Sequence, residues 1–230
     1  MITANVTARG VKPRRVHRAL VWAVLGLVVT GGEALALRPL GMAPRMAEVS
    51  NGSGTGETSL ERLDSYRQVP DFALIERSGR SVTLADLRGR VWVVNFIYTR
   101  CTDTCPTQNL ELSSLQGEFR TEPDFRLVSI TADSERDTSE VLAQYAQRFG
   151  ADPERWLFLS GPKRAIYRLA ANGFQLSAVA IPGSKGVVIH SSLLVLVDRQ
   201  SRIRAYHQST ERESLQRLRQ NLQRLLREGR

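Results

Sequence analysis

The stretch Val91–Pro106, VWVVNFIYTRCTDTCP, carries both cysteines of the chain at the end of a strand-like run. Val91 to Ile97 is short, apolar and rich in β-branched and aromatic residues. That composition suits a strand buried on both faces. The run stops at Tyr98, Thr99 and Arg100, and Cys101 and Cys105 follow. Beyond Pro106, Leu110, Leu112, Leu115 and Phe119 recur at roughly helical spacing. The pattern predicts a central strand handing over to a helix, with the cysteines at the junction. Open α/β sheets place their chemistry at that end of their strands.

With both cysteines in the first turn of that helix, residues four apart bring the two sulfurs to one side. The helix N-terminus favours the thiolate over the thiol. Two thiolates so placed can close a disulfide or hold one soft metal ion. A structural disulfide, or two buried thiols, is the plain alternative. Spacing alone does not separate metal from redox use; a third ligand does.

The segment Asn95–Thr107, NFIYTRCTDTCPT, resembles the copper-site signature of the Sco family. These are membrane-anchored, thioredoxin-like proteins that help to assemble the copper centre of cytochrome c oxidase. Thioredoxins carry two residues between their cysteines and this chain carries three, which favours the Sco family. Val82–Leu84 and Asp86–Gly89 are similar to the opening of Sco and peroxiredoxin domains. Asp133–Glu140, DSERDTSE, resembles a family stretch that commonly has proline at the places of Ser134 and Ser139. Asp137 with Glu140 also reads as a capping box for the next helix. Asp133 and Asp137 follow a strand end, where they can serve partner recognition.

Three histidines are candidates for a third ligand: His17, His190 and His207. His17 precedes the N-terminal apolar run. His207 follows the last strand and reads as a surface residue. His190 stands before an apolar strand, beside the small Ser191 and Ser192, where a thioredoxin-like fold faces the cysteine turn. Val188–Ser191, VIHS, resembles the family's Val-Asp-His-Ser segment, with Ile189 in place of a carboxylate that can support the ligand. Cys101, Cys105 and His190 are thus the expected metal ligands. Two thiolates and an imidazole suit Cu(I), and the imidazole lets the site accept Cu(II). Structural zinc takes four protein ligands.

The resemblance spans about Val69 to Tyr206. It implies a copper carrier whose client is the copper-binding subunit of cytochrome c oxidase, with other copper chaperones or thiol reductants as further partners. Two alternatives stay open: a thiol–disulfide oxidoreductase using Cys101 and Cys105, and a copper or redox sensor.

Charge is unevenly distributed along the chain. Of the formal +9, residues 1–18 contribute +5 and residues 199–230 contribute +6, so the body between them carries −2. A body without positive charge argues against a nucleic-acid-binding core. The basic N-terminus precedes an apolar stretch of nineteen residues, Ala19–Leu37, about the length that spans a bilayer. It reads as a transmembrane signal anchor with residues 1–18 in the cytoplasm and the remainder on the periplasmic or extracytoplasmic face. A cleaved signal peptide ending near Ala34–Ala36 is the alternative. Residues 38–68 read as a flexible linker, with Ser50–Gly56 rich in glycine and serine.

Residues 69–230 read as one thioredoxin-like α/β domain, a central mixed sheet flanked by helices. Phe72–Ile75 and Ser81–Thr83 form a hairpin, and Leu84–Gly89 a short helix closed by glycine. Phe125–Thr131 and Trp156–Leu159 are further strands. Helices run to about Phe149 and from Pro162 to about Asn172. Phe174–Gly186 is an irregular loop or hairpin. Leu193–Asp198 and Ile203–Tyr206 pair antiparallel. Thr210 with Glu213 forms a capping box, and Leu215, Leu218, Leu222, Leu225 and Leu226 give the final helix one apolar stripe, its arginines mostly on the outer face.

Overall fold

An eight-stranded sheet runs through the centre of the protein in the order β1-β10-β9-β4-β5-β6-β2-β3. The computed structural model describes residues 61–102, 104–180, 187–189 and 191–228. The expected anchor at 19–37, the cytoplasmic segment 1–18, linker residues 38–60, His17 and His190 lie outside the described residues.

The chain enters through β1 (Arg67–Gln68) and the hairpin β2 (Ala73–Glu76) and β3 (Ser81–Thr83), followed by the short helix α1 (Leu84–Leu87). Gly79 and Gly89 take positive φ at the two turns, which is where glycine is needed. Then come β4 (Val91–Ile97), α2 (Thr104–Glu118), β5 (Phe125–Thr131), α3 (Ser139–Arg148) and β6 (Trp156–Ser160). Strands β4, β5 and β6 are parallel. The helix α4 (Lys163–Arg168) continues into a π-helical turn, Leu169–Gly173. A two-stranded hairpin, β7 (Ala178–Ala180) with β8 (Val187–Ile189), stands apart from the main sheet. β9 (Leu193–Val197) pairs antiparallel with β4 and with β10 (Arg202–Gln208), and α5 (Arg212–Arg227) closes the fold.

All seven residues of β4 are buried. The reason is its place in the sheet: paired on both edges and covered on both faces. Trp92, Val94 and Phe96 join one core with Leu84, Leu87, Ile166 and Phe174. Val91, Val93 and Ile97 join the other with Leu112, Leu115, Leu142 and the stripe of α5. Each such aliphatic or aromatic side chain, fully buried, contributes about 1.5–3 kcal/mol relative to exposure.

Several local expectations are corrected. The folded body takes in residues assigned above to the linker, because β1 pairs with β10 and Glu61 is buried. Thr138, not Asp137, caps α3, its side chain accepting from the Val141 amide at 3.4 Å. α5 begins at Arg212 after Glu211, with no side-chain cap from Thr210. The Ser214 hydroxyl instead accepts from the Gln208 amide at 2.8 Å. Of the α5 arginines, Arg217 bonds Glu61 at 2.6 Å and Arg219 pairs with Glu111 and Glu118.

Candidate metal centre

The sulfurs sit where β4 ends and α2 begins. Tyr98 closes a turn, its carbonyl accepting from the Cys101 amide at 3.0 Å. Cys101 therefore lies in the loop, and Cys105 alone lies in the first turn of α2. The expectation that one helical turn holds both is corrected. Pro106, which cannot donate a backbone bond, fits that first turn, where amides have no helical partner.

Both cysteines are reduced and buried. Their side chains interact with each other. Burial pushes the Cys105 thiol far above its usual range. A hydrogen bond involving the Tyr98 backbone opposes this, and the Cys101 sulfur and the Asp137 carboxylate add to it. Desolvation, the largest of these causes, favours the neutral thiol of the reduced Cys105. A metal that takes this sulfur must displace its proton.

Asp137 is buried and clamps the loop that carries the cysteines. It accepts from the Thr99 amide at 3.1 Å, the Thr99 hydroxyl at 2.6 Å and the Thr131 hydroxyl at 2.5 Å. Three donors offset the burial of one carboxylate. Asp133 lies nearer the surface, pairing with Arg136 at 3.0 Å.

Behind Cys105 runs a chain of buried polar groups. The Trp156 indole N–H donates to Ser129 Oγ at 2.9 Å, and Ser129 Oγ donates to Asn95 Oδ1 at 2.7 Å. Asn95 Nδ2 donates to Asn109 Oδ1 at 3.1 Å and to Gln108 Oε1 at 3.4 Å. Asn109 Nδ2 donates to the Tyr145 hydroxyl at 3.1 Å. Gln108 Nε2 donates to the Ser191 carbonyl at 2.9 Å. The sequence carries a signal for this chain that the motif reading passed over: Asn95 interrupts an apolar strand, and Gln108 and Asn109 stand on the buried side of a helix.

The profile of the SCO1/SenC family matches residues 61–227. The chain belongs to the SCO1/SenC family. It is 30% identical over 138 residues to the "SCO1 protein homolog" of Bacillus subtilis (strain 168), covering 59% of this chain and 71% of that one. Among solved structures it is similar to BsSco, a protein with a disulfide switch and a member of the Sco family of cytochrome c oxidase assembly proteins. There the identity is 25% and the TM-score 0.62, over 72% of this chain and 98% of that one. It is also similar to copper-bound ScoI of Bradyrhizobium japonicum, with 25% identity and a TM-score of 0.58, over 69% and 99% of the two chains.

The thioredoxin-like α/β fold with its mixed sheet is thus a property this family member shares with its relatives. Among the described residues no three His, Cys, Asp or Glu side chains gather as a metal-ligand set. Cys101 and Cys105 come together as expected; His190 lies outside the described residues, while its neighbour Ser191 is tied to α2. His207 is not a surface residue: it is fully buried beneath α5, with Nε2 3.4 Å from Asn221 Nδ2. It does not follow the last strand but lies within β10, next to that strand's final residue. Here the strap containing Glu61 covers it.

Proposed function

We propose that this chain is a copper carrier in the assembly of cytochrome c oxidase, with Cys101, Cys105 and His190 as the copper ligands. The observation that carries the reading is the pair of reduced, buried sulfurs at the carboxyl end of β4, beside a helix bonded to the residue next to His190. Copper-bound structure of a relative and the family's role in oxidase assembly support it. Copper is the cargo. Two soft sulfurs and an imidazole hold Cu(I) and accept Cu(II), and loading releases the thiol protons. The client is the copper-binding subunit of the oxidase. Other copper chaperones or thiol reductants would supply copper or keep the sulfurs reduced.

The domain organisation belongs to the same proposal: residues 1–18 cytoplasmic, 19–37 an anchor, then a linker, and the folded domain exported. Among the described residues no helix is long and apolar enough to cross a membrane. The anchor rests on the one-sided basic flank and apolar run of the N-terminus.

A second reading has its own support, the contact between the two cysteine side chains and the disulfide switch of BsSco. As a thiol–disulfide oxidoreductase, Cys101 and Cys105 would give two electrons and two protons to a client disulfide. Their own disulfide would form as the client's two thiols appear. The substitution His190→Ala separates the two. The copper reading expects loss of a Cu(II) complex with thiolate-to-copper absorption, weaker Cu(I) binding and failed oxidase assembly, while the disulfide still forms. Wild-type binding of both copper states by His190→Ala would refute the ligand assignment. Lost copper binding with intact assembly would favour the oxidoreductase.

A further inference from the structure

The polar chain behind Cys105 has a direction that chemistry alone dictates. An indole N–H can only donate. Trp156 Nε1 therefore makes Ser129 Oγ an acceptor, and the Ser129 hydrogen goes to Asn95 Oδ1. The Asn95 amide is then oriented, with Nδ2 toward α2. That orients Gln108 in turn: its oxygen must face Asn95, and its Nε2 must face the Ser191 carbonyl. Reversing any one amide would set donor against donor or leave a buried acceptor empty. Asn95, Gln108, Asn109 and Ser129 are all fully buried, away from bulk solvent.

The end of the relay matters because of where it lies in the chain. Gln108 is three residues beyond Cys105 on α2, and residues three apart share a helix face. Ser191 is the residue after His190 and leads into β9, and the Ser191 hydroxyl accepts from the Leu193 amide at 3.1 Å. One hydrogen bond thus joins the helix of the second sulfur to the segment of the third ligand, across 83 residues of sequence.

We propose that Gln108 is a positioning residue for copper: its amide N–H, held by the relay from Trp156, ties the backbone of Ser191, the residue after the proposed ligand His190, to the helix that carries Cys105. This rests on the copper-carrier reading above. Gln108 touches no copper. Its effect falls on the imidazole contribution, which Cu(II) needs most, and least on the sulfurs, which dominate Cu(I) binding.

The test uses the full-length chain in detergent and three variants, Gln108→Met, Gln108→Glu and His190→Ala. Gln108→Met keeps the volume and removes donor and acceptor. Gln108→Glu keeps the acceptor toward Asn95 and puts an oxygen opposite the Ser191 carbonyl. Each is titrated with Cu(II), followed by the thiolate-to-copper band, and with Cu(I) against a chelator; disulfide formation and Tm of the copper-free protein are measured alongside. Both Gln108 variants are expected to lose about 10–100-fold in Cu(II) affinity, with a displaced band, as for groups that orient a metal ligand. Cu(I) affinity should fall much less, and disulfide formation should persist. Wild-type Cu(II) binding by both Gln108 variants, with Cu(II) lost in His190→Ala, would overturn the positioning role and leave the ligand reading standing. Wild-type Cu(II) binding in all three would overturn both. A parallel fall in Cu(I), Cu(II), disulfide formation and Tm would mark Gln108 as structural only and also overturn it. If Gln108→Met does not fold, Gln108→Glu alone decides by the same Cu(II) to Cu(I) split.

Discussion

Two buried polar clusters hold distant parts of this chain together, and they are built from opposite materials. Behind the cysteines, Trp156, Ser129, Asn95, Gln108, Asn109 and Tyr145 form a neutral relay in which no carboxylate or guanidinium takes part. Beneath the N-terminal strap, Glu61 is buried against charge. Its carboxylate accepts from Arg217 Nε at 2.6 Å and from the Ser214 hydroxyl, and its backbone carbonyl accepts from Asn221 Nδ2 at 2.6 Å. His207 Nδ1 lies 4.0 Å from Glu61 Oε1. Asn221 Nδ2 lies 3.4 Å from His207 Nε2. The two materials make the regions behave differently. A neutral relay keeps a fixed geometry beside a site whose own charge changes with copper and with oxidation. A charged clasp binds more strongly and depends on pH.

The largest expected effect breaks the charged side. Glu61→Ala removes the carboxylate that Arg217 and Ser214 address, and losing one partner of a buried pair costs about 3–5 kcal/mol. Urea unfolding followed by circular dichroism should show that loss; a change below about 1 kcal/mol would mean that the strap is not anchored by charge.

pH sharpens the contrast. Burial holds His207 down to about 4, against a usual 6.5, with Glu61 opposing the shift and Arg217 reinforcing it. Between those values the unfolded chain binds the proton and the folded one does not, so stability falls as pH drops from 6.5 toward 4 and is level in this respect above 6.5. The loss amounts to roughly 3 kcal/mol at most. His207→Gln should flatten that part of the pH profile; an unchanged slope would assign it to other groups.

The neutral side should respond less and without pH dependence. Tyr145→Phe leaves the buried Asn109 amide N–H without its hydroxyl partner and should cost about 2 kcal/mol, since one unsatisfied buried group costs about 1–3 kcal/mol. Equal loss at pH 5 and pH 8 is expected; a marked difference would mean that the relay is coupled to an ionising group.

What the sequence revealed divides along the same line. β4, α2 and the leucine stripe of α5 were legible because their signals are local: an apolar run, helical spacing, a cysteine pair. The clasp was not, because Ser214 and Glu61 are 153 residues apart and no short-range pattern joins them. The capping box expected at Thr210 and Glu213 does not form, because α5 starts one residue later, after Glu211. Asp137 looked like a helix cap because it precedes one. Its partners are Thr99 and Thr131, which only the fold brings near. His207 reads as a surface residue because the apolar signal of the last strand ends at Tyr206; the strand in fact continues through His207, and Glu61 lies against it.

X-ray absorption at the copper edge reads the proposed ligand set itself. The full-length chain loaded with copper should show two sulfur donors and one imidazole nitrogen, and His190→Ala should lose the nitrogen while keeping both sulfurs. A sulfur-only shell in the unaltered protein, or an imidazole that persists in His190→Ala, would contradict the assignment of Cys101, Cys105 and His190.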